Sequence, residues 1–224
     1  MNVYFDNAST TKVREEVVDE VSNVLKNCFG NPSSTHSFGR SAKSYIETSR
    51  KTIAKILNCE PGEIIFNSGG TESDNSILKC AVKDLGVKHI ISSKIEHHAI
   101  THTLEELESQ NVSIHYVKLQ EKGNIDLDHL EYLLNLNDEP KLVTLMYINN
   151  EIGNILDINK VSNLCQKYDT FFHSDAVQAI GHYKIDLSSL KIDFMTSAGH
   201  KFHGPKGVGF TYINKSTKIK SFIS

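Results

Sequence analysis

Glu63-Ile64-Ile65-Phe66-Asn67-Ser68-Gly69-Gly70-Thr71-Glu72-Ser73 is a short apolar run that passes through a glycine pair into a helical stretch, 71–83. An apolar run of this length bounded by turn residues reads as a buried strand, and the glycines mark the turn that feeds a helix. Downstream the unit recurs: strands at 88–92, 113–119, 142–148 and 170–174 alternate with helices at 97–109, 127–136 and 157–168, and strands at 192–196 and 208–213 follow. Upstream, Val17, Val18, Val21, Val24 and Leu25 recur at helical spacing, as do Ala42, Tyr45, Ile46, Ile53, Ile56 and Leu57, so two amphipathic helices precede the first strand. This alternation predicts an α/β fold, a mainly parallel sheet with helices on both faces. At 224 residues and 39% hydrophobic content the chain can bury one large core.

Open sheets of this kind bind ligands beyond the carboxyl ends of their strands. Gly69 and Gly70 let a bound group approach the backbone, and Thr71 stands at a helix start, whose free N–H groups favour an anion such as phosphate. The same residues also read as an ordinary helix start, because Thr71 to Asp74 matches a capping box. Asp175 closes a buried strand, where a carboxylate needs a cation nearby or else serves as a helix N-cap. Gln178 lies three residues on. Lys201 sits in Gly199-His200-Lys201-Phe202-His203-Gly204, directly after the strand 192–196, where desolvation makes an amine nucleophilic. Asn150, in Asn149-Asn150-Glu151, offers an amide or makes a turn. His97 opens a helix and can lie on an aromatic ring or act as acid or base. His98 and His102, four apart, read as a surface pair without a third metal ligand. A lysine, a buried acid and an anion-binding turn are the parts that hold a pyridine aldehyde phosphate.

Composition narrows the field further. The net charge of −3 gives no attraction to nucleic acid or to an anionic membrane, so a phosphate must be bound locally. No run approaches the roughly 20 apolar residues of a membrane span, and the N-terminus carries no signal-peptide pattern, which points to the cytoplasm. Cys28, Cys59, Cys80 and Cys165 are scattered without a Cys-x-x-Cys pair, which argues against a zinc ribbon or disulfide framework.

In order along the chain, Tyr4 to Thr11, Gly30-Asn31-Pro32-Ser33-Ser34-Thr35-His36, Phe66 to Asn75, Glu96-His97-His98-Ala99, Asn149 to Gly153, His173-Ser174-Asp175-Ala176-Val177-Gln178 and Gly199-His200-Lys201 resemble the cysteine desulfurases of the class V aminotransferase superfamily. The Gly-Asn-Pro-Ser-Ser block resembles the NifS/IscS-like branch that serves iron–sulfur cluster assembly. Seven ordered blocks from residue 4 to about 213 are far more specific than any one of them.

The resemblance implies the large domain of a fold-type I pyridoxal 5'-phosphate enzyme at 15–224, an N-terminal segment 1–14 packed on it, and a C-terminal small domain that is absent. It implies that Lys201 carries the cofactor covalently, that Asp175 binds the ring nitrogen, and that Gln178 and Asn150 face the ring oxygen. His97 would stack on the ring and move protons, with Gly70, Thr71 and His200 in the phosphate cup. It further implies L-cysteine as substrate, a homodimer and a sulfur-acceptor scaffold protein. Family members commonly have serine where Ala198 stands, which predicts weaker cofactor retention. None of the four cysteines lies in the motif of the persulfide-forming residue, so the chain alone is expected to be impaired. Alternatives in the same reading are another class V enzyme, such as a selenocysteine lyase, or a non-catalytic cofactor-binding scaffold partner.

Overall fold

A computed structural model describes residues 1–220; Ser221, which ends the polar tail begun at Asn214, and the three residues after it lie outside the described residues. In chain order the elements are α1 (Glu15–Asn27), α2 (Ser37–Leu57), β1 (Ile64–Asn67), α3 (Gly70–Leu85), β2 (His89–Ser92), α4 (His98–Ser109), β3 (Ser113–Tyr116), α5 (Leu127–Leu134), β4 (Lys141–Thr144), α6 (Ile158–Lys167), β5 (Phe171–Asp175), β6 (Phe194–Ala198) and β7 (Gly209–Ile213). The strands form one sheet in the order β1-β7-β6-β5-β4-β2-β3. Pairs from β3 through β2, β4 and β5 to β6 are parallel, whereas β7 runs antiparallel to both β6 and β1. The expected α/β architecture is therefore present.

Two apolar cores cover the sheet. One joins Leu57, Leu130, Leu134, Val161 and Phe172 beneath α2, α5 and α6; the other joins Ile77, Leu78, Ile100, Leu104 and Phe194 beneath α3 and α4. Side chains two apart on a strand share a face, and on the face under α3 and α4 each central strand changes character toward its carboxyl end. On that face β4 passes from Leu142 to Thr144, β5 from Phe171 through His173 to Asp175, and β6 from Phe194 through Thr196 to Ala198. An apolar layer is thus followed by a buried polar layer, and that layer by the carboxyl ends of the strands.

The expected strand 142–148 ends at Thr144. Leu145 and Met146 stay buried and Leu145 and Tyr147 still donate to His173 and Asp175 carbonyls, so hydropathy carries no mark of where the regular ladder stops. The Thr71–Asp74 capping box does not form. Gly69, at φ 141°, is the N-cap without a side-chain bond, and Glu72 instead reaches back to the Ser68 amide at 2.8 Å. Helix α1 is amphipathic in sequence, yet it has no buried residue, and Leu25 is 76% exposed.

Candidate active site

Beyond the carboxyl ends of β4, β5 and β6 lies a cavity of about 460 Å³ whose lining includes Gly70, Thr71, His97, Asn150, Asp175, Gln178, His200 and Lys201. All eight residues singled out in the sequence meet there. The chain topology explains this convergence: each residue sits at the end of a strand, in the loop after it or at the first turn of the next helix, and parallel strands bring those positions to one rim.

Asp175 is the last residue of β5 and is 5% exposed. Its Oδ1 accepts the Val177 N–H at 2.9 Å, so the carboxyl caps a turn and not a helix. Burial pushes its pKa up, while the Val177 amide, His97 and Lys201 pull it back down. Lys201 closes the short helical turn Gly199–Lys201 after β6. Burial lowers its ammonium pKa, against the opposing pull of Asp175 and Asp6. The amine donates to the carbonyls of Ala8 and Ser9, the latter at 2.9 Å.

The N-terminal segment crosses the site as a strap. Gln178 Nε2 donates to the Ala8 carbonyl at 2.8 Å, and the Thr11 amide and hydroxyl each donate to the His200 carbonyl at 2.9 Å. His200 Nδ1 lies 3.1 Å from Thr10 Oγ1, and its pKa is lowered by burial and by the charges of Lys201 and Lys206. The sequence reading assigned no site residue before Gly70, so Asp6, Ala8 and Ser9, which line the cavity, were missed. Ala8 and Ser9 reach Lys201 and Gln178 through backbone carbonyls, which leave no trace in residue type, whereas Asp6 acts on Lys201 through its charge.

His97 is the N-cap of α4, with Nδ1 accepting the Ala99 amide at 3.1 Å. A neutral ring so held carries its hydrogen on Nε2, and a proton can reach Nδ1 only by displacing that bond. Asn150 Nδ2 donates to Glu151 Oε1 at 2.6 Å beside the cavity. Ala198 lines the wall without a hydroxyl. His98 and His102 stack with ring centroids 5.3 Å apart. Cys80 and Cys165 are buried and Cys28 and Cys59 half-buried; burial raises the thiol pKa of Cys59 to about 11 and pushes Cys80 and Cys165 up as well.

These residues fit a pyridine ring with a phosphate tail. A side chain at position 70 would bring its first carbon to 3.0 Å from Val177, so glycine keeps this wall open. Beside it is the first turn of a 16-residue helix whose leading N–H groups have no intrahelical acceptor. Across the same space an amine and a buried carboxyl offer a carbonyl-reactive group and a counter-charge for a ring nitrogen.

Comparison with known proteins matches residues 3–222 to the Aminotransferase class-V family, a family of pyridoxal phosphate enzymes. A cysteine desulfurase IscS of Dictyoglomus turgidum is 44% identical over 223 residues, covering 99% of this chain and 56% of the relative. Among solved structures, a NifS-like protein superposes with a TM-score of 0.95 at 39% identity, over 100% of this chain and 62% of that one. The SspA protein in complex with cysteine superposes at 0.93 with 32% identity, over 99% and 65%. The chain thus spans a little over half the length of the curated relatives it matches.

Proposed function

The chain belongs to the class-V aminotransferase family, and on that premise we propose that it is the cofactor-binding part of a pyridoxal phosphate-dependent cysteine desulfurase. Such an enzyme removes sulfur from L-cysteine, leaving alanine and a persulfide for iron–sulfur cluster assembly. The observation that carries this reading is the meeting of Lys201, Asp175 and the α3 first turn in one cavity. The likeness to cysteine desulfurases and to a cysteine-bound structure supports the substrate. A homodimer, a cytoplasmic location and a sulfur-accepting scaffold belong to the same proposal. So does the division into a strap at 1–14 and a large domain after it, with the persulfide-forming cysteine in the part of the relatives that this chain does not span.

In this reading the leading amides of α3, with Gly70, Thr71 and His200, hold the phosphate, and Asp175 holds the ring nitrogen in its protonated form. When bound, the cofactor supplies an electron sink for negative charge that develops on the substrate carbon. Lys201, with its ammonium pKa brought down by burial, would hold the cofactor through its amine and would accept the substrate α-proton at Nζ. His97 lies at the cavity wall and presents Nε2–H as a donor, while Gln178 and Asn150 supply amide groups to the ring oxygen. The strap shields Lys201 on the side of Ala8 and Ser9.

Proton exchange tests this without requiring sulfur transfer. The chain loaded with pyridoxal phosphate and given L-cysteine in deuterated water should wash deuterium into the α-position, measured by NMR, with the Lys201→Ala variant at background. Equal, background exchange in both proteins would leave the desulfurase assignment without its first chemical step and contradict it.

A further inference from the structure

Behind Asp175 lies a chain of buried polar side chains that the proposed chemistry does not use. It starts on β4 at Thr144, whose hydroxyl is 2.9 Å from Nδ1 of the fully buried His173. Nε2 of that ring is 3.0 Å from Thr196 Oγ1 on β6, which donates to Ser73 Oγ on α3 at 3.0 Å. Ser73 meets Thr211 Oγ1 on β7, and Thr211 accepts from Asn67 Nδ2 at 2.8 Å. Asn67 Oδ1 in turn accepts the Gly69 amide at 3.0 Å, so the chain ends at the turn that opens α3.

Its donors fix its direction. Thr196 directs its hydrogen to Ser73 and therefore accepts from His173 Nε2–H, which leaves Nδ1 to accept from Thr144. Burial keeps this ring neutral, with its pKa lowered to about 3. Asp74 follows Ser73 on α3, is 1% exposed and lines the cavity. Its Oδ1 is 3.6 Å from His173 Nε2 but has no hydrogen-bond partner among the described residues, because that N–H is aimed at Thr196.

A buried carboxylate without a cation, with the Thr196 hydroxyl as its one nearby donor, is costly, by several kcal/mol on the usual scale. Asp175 has the Val177 amide and the charge of Lys201, whereas Asp74 faces neutral His173, the Thr196 hydroxyl and the acids Asp175 and Glu96. Neighbouring acids in one dry pocket ionise one at a time. We infer that Asp74 is a positioning residue for Asp175: a carboxylic acid that keeps its hydrogen, leaves Asp175 as the anion of this wall, and is locked through Ser73 to the chain joining β5 to the first turn of α3. Burial and the charge of Asp175 push Asp74 well above the usual carboxylate range, in agreement.

The consequence for a bound ring rests on the cofactor reading above, whereas the hydrogen on Asp74 belongs to the protein alone, so the two can fail separately. Infrared spectra of the unloaded 224-residue chain at pH 7 should contain protonated-carboxyl absorption that Asp74→Asn removes in part and Glu96→Gln in another part. A folded Asp74→Asn variant with undiminished absorption overturns the inference. If that variant does not fold, the Glu96→Gln protein decides: remaining absorption supports Asp74 and none overturns it. With pyridoxal phosphate bound, Asp74→Asn should leave the pH midpoint of the visible band unchanged, while a fall of about one unit or more would mean that a charge had been removed and overturns it. His173→Ala should weaken cofactor binding about tenfold by releasing the chain, and unchanged affinity overturns the positioning role. A wild-type chain that takes up no cofactor defeats the cofactor reading, and the infrared result still decides the inference.

Discussion

At the scale of single residues, the site works by placing opposite charges where water is scarce. Asp175 and Lys201 each face a desolvation cost and each reduces the cost of the other. Replacing Asp175 with Asn keeps the shape and removes the counter-charge of a protonated ring, so the dissociation constant for pyridoxal phosphate should rise about 30-fold, or about 2 kcal/mol, measured by fluorescence titration. Glu96 gives a pH signature of its own. Burial raises its carboxyl pKa to about 8, although Ser93 donates to it at 2.6 Å. Between about pH 6.5 and 8 the unfolded chain has already released this proton while the folded chain still holds it, so stability falls as pH rises. The fall is at most about 1.4 kcal/mol per pH unit for this one proton. His173, with its pKa lowered to about 3, acts oppositely, adding stability as pH rises to about 6.5, and then no longer changes. Thermal denaturation across pH 6.5–8 should show the downward slope in the wild type and a shallower one in Glu96→Gln; parallel slopes would exclude the assignment.

At the scale of elements, the anion end of the cavity depends on how closely β7 approaches the turn before α3. A side-chain carbon at Gly209 would lie 2.4 Å from the Ser197 carbonyl oxygen and 2.7 Å from Gly69 Cα. Both neighbours are backbone and cannot swing aside. Gly209→Ala should therefore destabilise the fold by about 2–3 kcal/mol, read from urea denaturation, and weaken phosphate-tail binding by moving Gly69. Wild-type stability in that variant would mean that the strand and the turn are not in contact. Much of this element-level plan was legible in the sequence, because strand–turn–helix units announce themselves by hydrophobic period. The end of β4 was not, since Leu145 and Met146 remain apolar and buried after the ladder stops. Its place in the sequence suggests that Asp74 is half of a cap, yet it precedes Ile77, Leu78 and Ala81 at helical spacing and so lies on the buried face. An acid in that register was the available signal.

At the scale of the whole molecule, the chain carries a net charge of −3, so a phosphate is held by local geometry and not by the overall field. The strap is the contact of longest sequence range in the site, tying Ala8, Ser9, Thr10 and Thr11 to residues near position 200. Its family block was visible in the sequence. Its place over the site was not, because Lys201 and Gln178 are held by the carbonyl groups of Ala8 and Ser9. Removing residues 1–12 should raise the cofactor dissociation constant at least about tenfold while the circular dichroism of the sheet and helices persists. Equal affinity would show that the strap takes no part. The most direct test of the account is reductive trapping: the chain mixed with one equivalent of pyridoxal phosphate, treated with borohydride and mapped by peptide mass spectrometry. The account predicts a single pyridoxyl adduct on Lys201 that competes with free phosphate and is lost in Lys201→Ala. Adducts scattered over surface lysines such as Lys206, or none at all, would contradict it.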